Sequence, residues 1–148
     1  MKVWNDNLKI IEAPDRNFWE QNKEMYHTCF IQIKKDLARS FPDHTFFSTP
    51  KNMARFEVLL KKFALYFPKI GYTQGLNFLA GYILLAGFND TQAFETLVAM
   101  LLHEKLLLIG LYEDRFPLNR LYCSVFWNLM EKKLPKTAKT IRTAGVPD

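Results

Sequence analysis

The sequence predicts an all-α, multi-helix domain. Apolar residues recur at three- and four-residue steps along most of its length, which is the period of a helix with one buried face. No alternating run of apolar and polar residues is bounded by hairpin turn residues, so strands are not expected. With 148 residues, of which 49% are hydrophobic and 24% charged, the chain is large enough to bury a core of its own.

Apolar stripes and prolines predict the first two helices. The first helix runs from about Phe18 to Arg39, and Pro42 disfavours helix at Phe41. Its stripe consists of Tyr26, Phe30, Ile33 and Leu37. Pro68 ends the second helix, whose stripe consists of Met53, Phe56, Leu59, Leu60, Phe63 and Phe67. Residues 40–51 form the longest non-helical connection, and long ordered loops tend to carry function.

Four further helices are expected. The third, from Gly75 to Phe88, is apolar on nearly every side, which is typical of a helix at the centre of an all-helical domain. The turn residues Asn89–Thr91 provide an N-cap for a fourth helix from Gln92 to about Leu108. Pro117 fits the first turn of a fifth helix, and a short sixth is predicted over Lys136–Thr143. The stripe of the fifth helix consists of Leu118, Leu121, Tyr122, Val125, Phe126 and Leu129.

Several classes of site are not expected. The sequence contains no GxxxxGK[ST] or GxGxxG stretch, so the chain is not expected to bind nucleotide by itself. It contains no GxSxG elbow either. Its histidines have no metal-ligand spacing to acids or cysteines, so no metal or cofactor is expected. These histidines are His27, His44 and His103. Cys29 and Cys123 lie far apart in apolar segments, as is typical of free thiols in a reducing compartment.

The sequence indicates a soluble, cytoplasmic protein. The N-terminus lacks the apolar stretch of a signal peptide, and the longest apolar stretch, 76–88, is too short to cross a bilayer. The net charge is +5, and residues 131–148 hold five basic residues against two acidic ones. This basic stretch is compatible with peripheral membrane association, although a solvated helix face is the simpler interpretation. No aromatic residues interleave with it, so no nucleic acid partner is expected.

One candidate constellation lies at the end of the first helix. Ile33 and Leu37 are four residues apart and are expected to face the core. Asp36 and Arg39 are three apart, so they are expected to lie side by side on the exposed edge. There the arginine projects outward while its neighbour steadies it. On spacing alone, an ordinary surface ion pair is the simpler interpretation.

The second constellation is the segment 71–77, Gly-Tyr-Thr-Gln-Gly-Leu-Asn. Two glycines bracket Tyr72 and Gln74 just before the most apolar helix. Polar groups this close to a core need a structural partner or a ligand. One interpretation is a helix start in which Gln74 and Asn77 satisfy backbone groups, and the other is a functional site. Spacing alone does not decide between them.

Together, the two constellations resemble a known family. Ile33-x-x-Asp36-x-x-Arg39, followed downstream by Tyr72-x-Gln74-Gly75, is similar to the paired signature of the TBC-domain family of Rab GTPase-activating proteins. Either motif alone is weak, but both in this order, separated by one predicted helix, are specific. The resemblance implies an all-helical fold and a GTP-bound Rab-type GTPase as the partner.

The resemblance also implies roles for the motif residues. Arg39 and Gln74 would each enter the partner's active site as a finger, so the chain would be a GTPase activator in vesicle trafficking, at endomembrane surfaces, and not an enzyme by itself. Asp36 and Tyr72 would be supporting residues, with Ile33 and Gly75 completing the motifs. The alternative is a catalytically silent helical module that binds a Rab as a scaffold.

The sequence departs from the family pattern in three places. The family domain opens with Arg-x-x-x-Trp, and Trp4 stands as the tryptophan without the arginine. The family also continues with further helices after Asp148, so residues 1–148 are expected to be a partial domain that lacks its extreme N-terminal element and its C-terminal helices. Thr73 stands where the family often has cysteine, and we expect this change to be tolerated.

Overall fold

The computed structural model describes residues 22–145. Their regular structure consists of six α-helices and two short 3-10 helices, without strands, so the all-α prediction is confirmed for this part of the chain. The chain divides into two compact units, 1–106 and 107–148. The predicted start of the first helix, at Phe18, and Trp4 lie outside the described residues.

The first unit contains four α-helices, which are α1 (Lys23–Leu37), α2 (Pro50–Tyr66), α3 (Leu76–Leu85) and α4 (Asp90–Leu102). Both α2 and α3 pack against all three other helices. The largest fully buried apolar side chains come from all four helices, and each contributes about 1.5–3 kcal/mol through its burial. They are Ile33, Phe56, Leu60, Phe63, Leu76, Leu84, Leu97, Val98 and Leu101.

Local caps lie at the starts of α2 and α4, and the cap at Asn89 was predicted from the sequence. Thr49 Oγ1 accepts the backbone N–H of Asn52 at 3.4 Å, and Pro50 occupies the first turn of α2. The capping box of α4 is complete, because the Asn89 side chain accepts the Gln92 N–H at 2.9 Å and the Gln92 side chain accepts the Asn89 N–H at 3.2 Å. The loop before α2 is shorter than predicted, since it contains a 3-10 helix at Thr45–Ser48.

The predicted end of the fourth helix at Leu108 is wrong, because α4 ends at Leu102. His103 adopts an extended backbone with ψ 121°, and its Nδ1 accepts the N–H of Lys105 at 3.3 Å. The carbonyl of His103 accepts the N–H of Leu106 at 2.9 Å. The polar residues 103–105 therefore form a turn, although the apolar residues on either side of them suggested one continuous helix.

α3 is not buried on all sides, although its composition predicted a central helix. Leu76, Ala80 and Leu84 are buried, whereas Phe78 and Tyr82 are exposed. The apolar residues of α3 therefore form two surfaces, one that lies in the core and one that is exposed to solvent.

The second unit contains a 3-10 helix at Leu108–Leu111 and the helices α5 (Pro117–Lys133) and α6 (Pro135–Thr143). Pro117 lies in the first turn of α5, as predicted. Of the predicted α5 stripe only Leu118 is buried, and the others are about half exposed: Leu121, Tyr122, Val125, Phe126 and Leu129. The short α6 packs on a side of α5 that lies away from this stripe. Trp127 of α5 is buried there, and the guanidinium of Arg142 in α6 lies 5.3 Å from the centroid of the Trp127 ring.

Other expectations concern the described residues as a set. Cys29 and Cys123 are free thiols, as predicted. Within residues 22–145, no group of His, Cys, Asp or Glu side chains has the arrangement of a metal site. No helix in the same range has the length and apolar character needed to cross a membrane.

Candidate functional site

Arg39 lies in the turn that directly follows α1. Its backbone N–H donates to the carbonyl oxygen of Asp36 at 3.2 Å. The chain then leaves the helix direction, because Phe41 adopts φ +51°, in the left-handed region, and Pro42 follows it. The Arg39 side chain is 60% exposed. The helix end thus presents an accessible guanidinium at the start of the loop.

The Asp36 carboxylate is fully buried, so its predicted place on the exposed edge is wrong. It does pair with Arg39, whose Nε and Nη2 donate to Oδ1 at 3.0 and 2.7 Å. Tyr72 Oη donates to Oδ2 at 2.8 Å, and Gln32 Nε2 donates to Oδ1 at 3.3 Å. The carboxylate tolerates burial because these donors replace the water that it would otherwise bind.

The same contacts set the protonation states at the site. Burial by itself would raise the pKa of Asp36, but hydrogen bonds from Tyr72 and Arg39, together with the Arg39 charge, outweigh burial and hold this pKa below its usual range. Burial and the neighbouring carboxylate raise the pKa of Tyr72. At neutral pH Asp36 is therefore ionised, and Tyr72 keeps the proton that it donates.

Gln74 lies in the turn before α3. Gly71 and Gly75 have φ values of +61° and +103°, which side chains other than glycine adopt only with strain. Gln74 is exposed, and its amide makes no hydrogen bond to another of the described residues. The turn therefore leaves an unengaged amide at the surface. Tyr72, two residues earlier, ties this turn to the end of α1 through Asp36.

Other motif residues have structural positions. Ile33 is fully buried one turn before Asp36, as its spacing predicted. Of the two residues that one interpretation expected to satisfy backbone groups, Asn77 does so, because its Oδ1 accepts the N–H of Gly75 at 2.9 Å, whereas Gln74 makes no such bond within residues 22–145. Ser40 was not predicted to belong to the site, yet it is buried and donates to the Asp36 carbonyl oxygen at 2.6 Å. A hydroxyl residue directly after an arginine at a helix end is the signal that was available.

An exposed aromatic strip, which consists of Phe78 and Tyr82, continues from Gln74 along α3. Phe78 and Tyr82 are four residues apart, so they share one face of the helix, and Gln74 lies in the turn that precedes it. Phe78 is 46% exposed and Tyr82 is 64% exposed. The Phe41 ring supports both from within, with centroid distances of 5.7 Å to Phe78 and 5.2 Å to Tyr82. The backbone of Gly81 lies against this ring, where a Cβ would come within 2.2 Å of it.

Two exposed polar side chains, those of Arg39 and Gln74, determine what this site can do chemically. An exposed guanidinium stabilises negative charge, and an exposed amide both donates and accepts hydrogen bonds. The Arg39 contacts to Asp36 use Nε and Nη2, and the N–H groups of Nη1 make no hydrogen bond within residues 22–145. The site can thus stabilise charge and orient a water on a bound partner.

The fold and the site define a class of protein, which is an all-α domain that presents an arginine held by a buried carboxylate and a glutamine held by a glycine turn. The chain belongs to the Rab-GTPase-TBC domain family, whose model matches residues 3–148.

Individual relatives agree with this assignment. The chain is 35% identical over 98 residues to growth hormone-regulated TBC protein 6 of Caenorhabditis elegans, covering 65% of the chain and 29% of the relative. It is 33% identical over 143 residues to TBC1 domain family member 2A of Mus musculus, covering 91% and 15%. It is 41% identical over 73 residues to the GTPase-activating protein GYP3 of Saccharomyces cerevisiae, covering 45% and 11%.

The matched segments span only part of these relatives, between 7% and 40% of their lengths across the similar proteins. No solved structure is significantly similar to the chain.

Proposed function

We propose that this chain accelerates GTP hydrolysis by a Rab-type GTPase, with Arg39 and Gln74 supplied to the partner's active site. The observation that carries the proposal is the anchoring of an exposed guanidinium by a buried, ionised carboxylate, which Tyr72 connects to the turn that holds Gln74. The family assignment and the likeness to a protein named as a GTPase-activating protein support it. The expected place of action is the cytoplasmic face of endomembranes, in vesicle trafficking.

Arg39 has the chemistry for the electrostatic part of this reaction. Negative charge spreads over the oxygens of the transferring phosphoryl group, and a guanidinium placed there in a site without water stabilises it. Such an arginine accelerates GTPases by on the order of 10³–10⁵. The bonds from Nε and Nη2 to Asp36 fix the guanidinium plane, and Nη1 is left for the phosphoryl oxygens.

Gln74 has the chemistry for the second part, the placement of the attacking water. A carboxamide accepts a hydrogen bond from the water through its oxygen and donates elsewhere through its nitrogen. GTPases use a glutamine for this purpose. The Gln74 amide is exposed, and no hydrogen bond to another of residues 22–145 has to break before it engages a partner.

The aromatic strip supports binding of a folded partner beside these two residues. Apolar and aromatic residues at the centre of protein interfaces contribute most of the binding energy, and polar residues surround them. Phe78 and Tyr82 lie on an exposed face of α3, the helix that follows the Gln74 turn, and the Phe41 ring packs against both. A GTPase that receives Arg39 and Gln74 would cover this strip.

The direct experiment is single-turnover GTP hydrolysis by a panel of Rab GTPases with the 148-residue chain. We expect acceleration of at least one GTPase by the wild type. Arg39→Ala is expected to lower the rate by on the order of 10³, and Gln74→Ala by on the order of 10². Arg39→Lys should not restore activity, because an ammonium lacks the planar fork.

Arg115→Ala is the matched control, since it removes an arginine that is 83% exposed in the other unit. Acceleration by Arg39→Ala equal to that of the wild type would refute the proposal, as would a wild type that accelerates no GTPase. Binding of a GTP-loaded Rab without any acceleration would instead make the chain a Rab-binding scaffold.

A further inference from the structure

Two buried polar side chains join the segments that hold Arg39 and Gln74. Ser40 is 3% exposed and Asn77 is 2% exposed, and the two residues lie 37 positions apart in the sequence. Asn77 Nδ2 donates to Ser40 Oγ at 2.6 Å. Polar groups are costly to bury unless they are satisfied, so a bond of this kind between distant segments needs a reason beyond core packing.

The bond belongs to a continuous chain of three hydrogen bonds, which we call the Ser40–Asn77 link. The Gly75 N–H donates to Asn77 Oδ1 at 2.9 Å, the Asn77 amide donates to Ser40 Oγ, and the Ser40 hydroxyl donates to the Asp36 carbonyl oxygen at 2.6 Å. Every donor meets an acceptor. The Asn77 amide has one consistent orientation, because the reversed one would place its NH₂ group against the Gly75 N–H.

The two ends of the link lie next to Arg39 and Gln74, so the link can control the placement of both. Ser40 directly follows Arg39 in the sequence, and Gly75 directly follows Gln74. The link is separate from the bond between Tyr72 and the Asp36 carboxylate, because it reaches Asp36 through the main-chain carbonyl. Two independent connections therefore fix the backbone at one residue relative to the backbone at the other.

The link also replaces an ordinary helix cap. Gly75 is the N-cap of α3 and has no side chain to accept an N–H of the first turn. In α3 the roles are reversed, because a side chain inside the first turn, that of Asn77, accepts the backbone N–H of the cap residue, Gly75. This bond holds Gly75 at its φ of +103° and therefore sets the direction in which the preceding Gln74 leaves the helix.

We propose that Ser40 and Asn77 are positioning residues that hold Arg39 and Gln74 in the relative placement needed for GTP hydrolysis. This inference rests on the proposed function and deepens it. Catalytic groups act only when they are held within about 0.5 Å of their productive geometry, and a misplacement of about 1 Å costs as much as 10² in rate. The two bonds made by Ser40 are buried, so water does not readily replace either of them when it is lost.

The kinetic test uses Ser40→Ala and Asn77→Ala, with Ser40→Thr as the conservative variant that keeps the hydroxyl. We expect both alanine variants to lower kcat by at least tenfold, while the affinity for the GTP-loaded GTPase changes by less than about twofold. Ser40→Thr should recover most of the rate. In a Gln74→Ala background, Asn77→Ala should cause little further loss, because the group that it positions is gone.

Thr49→Ala is the matched control for a general loss of stability. It removes the side-chain cap of α2 and should lower Tm without affecting the link. The kcat values are compared between variants with an equal loss of Tm. If Ser40→Ala and Asn77→Ala then lower kcat no more than Thr49→Ala does, the positioning role is refuted.

A second measurement separates this inference from the proposed function. Amide hydrogen exchange at Gly75 is followed by NMR in the wild type and in Ser40→Ala, which leaves Asn77 itself intact. We expect at least tenfold faster exchange at Gly75 and unchanged exchange in the centre of α2. Unchanged exchange at Gly75 would refute the coupling. Faster exchange in a chain that accelerates no GTPase would support the coupling and refute the proposed function.

Discussion

At the scale of single residues, the Asp36 carboxylate contributes both to the stability of the first unit and to the geometry of the candidate site. It is fully buried, yet it accepts bonds from Arg39, Tyr72 and Gln32. Its hydrogen bonds stabilise the folded state and at the same time orient the guanidinium. One substitution at this position should therefore change both stability and activity.

This double role predicts a pH dependence. The folded-state pKa of Asp36 is lower than its unfolded value of about 3.9. On acidification the unfolded state therefore binds the proton first, and stabilisation by the ionised carboxylate, present above about pH 4, is lost as the pH falls through the folded-state pKa. We expect Asp36→Asn to be less stable than the wild type by roughly 1–3 kcal/mol at pH 7. This difference in the free energy of unfolding, measured by urea denaturation from pH 3 to 7, should decrease towards pH 3. A difference that does not change with pH would contradict a stabilising role of the ionised Asp36 carboxylate.

At the scale of elements, α3 has two apolar surfaces with different expected roles. Leu76 and Leu84 lie in the core, whereas Phe78 and Tyr82 are exposed. A helix whose composition alone indicates complete burial thus has one face available for a partner. The physical reason is that the Phe41 ring packs beneath the exposed pair and leaves their outer surfaces open.

The exposed face of α3 predicts an effect on binding and not on chemistry. Tyr82→Ser should weaken binding of the GTP-loaded GTPase by roughly tenfold, which is the effect of losing an interface residue worth more than about 1 kcal/mol. The value of kcat at saturation should stay within about twofold. Val58→Ser, which changes an exposed apolar residue of α2, is the control. Equal weakening by both variants would show that the strip has no special role.

Gly81 predicts a second effect of α3. A Cβ at this position would overlap the Phe41 ring, so Gly81→Ala must displace that ring. We expect a loss of about 1–3 kcal/mol in the free energy of unfolding, measured by urea denaturation. Phe41→Leu in the same chain should recover part of it by making room. If the double variant is less stable than the sum of the two single changes predicts, the ring is not the obstacle.

At the scale of the whole molecule, the two compact units differ in how their apolar residues are covered. In the first unit the predicted stripes of α1 and α2 face a shared core. In the second unit most of the predicted α5 stripe is exposed, and Trp127 is buried instead. α6 has nine residues, which is too short to cover a helix of seventeen along its length.

This difference predicts contrasting substitutions on α5. Leu129→Gln changes an exposed position and should alter the free energy of unfolding by no more than about 0.5 kcal/mol. Trp127→Ala removes a buried ring that packs with Arg142, and it should cost about 3 kcal/mol or more. Chemical denaturation followed by circular dichroism compares the two. A larger loss for Leu129→Gln would mean that the stripe is covered in solution.

The sequence by itself determined that the described part of the chain is helical, the approximate positions of its helices, the Asn89 cap and the two motifs. Periodicity, Pro117 and the Asn89 cap act locally, within one or two turns, so they can be interpreted without knowing the fold. The family could also be inferred, because the short motifs that contain Arg39 and Gln74 occur together and in the expected order.

Only the tertiary structure decided which surfaces are covered and which distant groups meet. The burial of Asp36, the Ser40–Asn77 link and the exposed α5 stripe all depend on how separate elements approach one another. A helical period indicates that a face is apolar but not what lies against it. A hydrogen bond between residues 37 positions apart has no local signal, because its geometry exists only after the helices have packed.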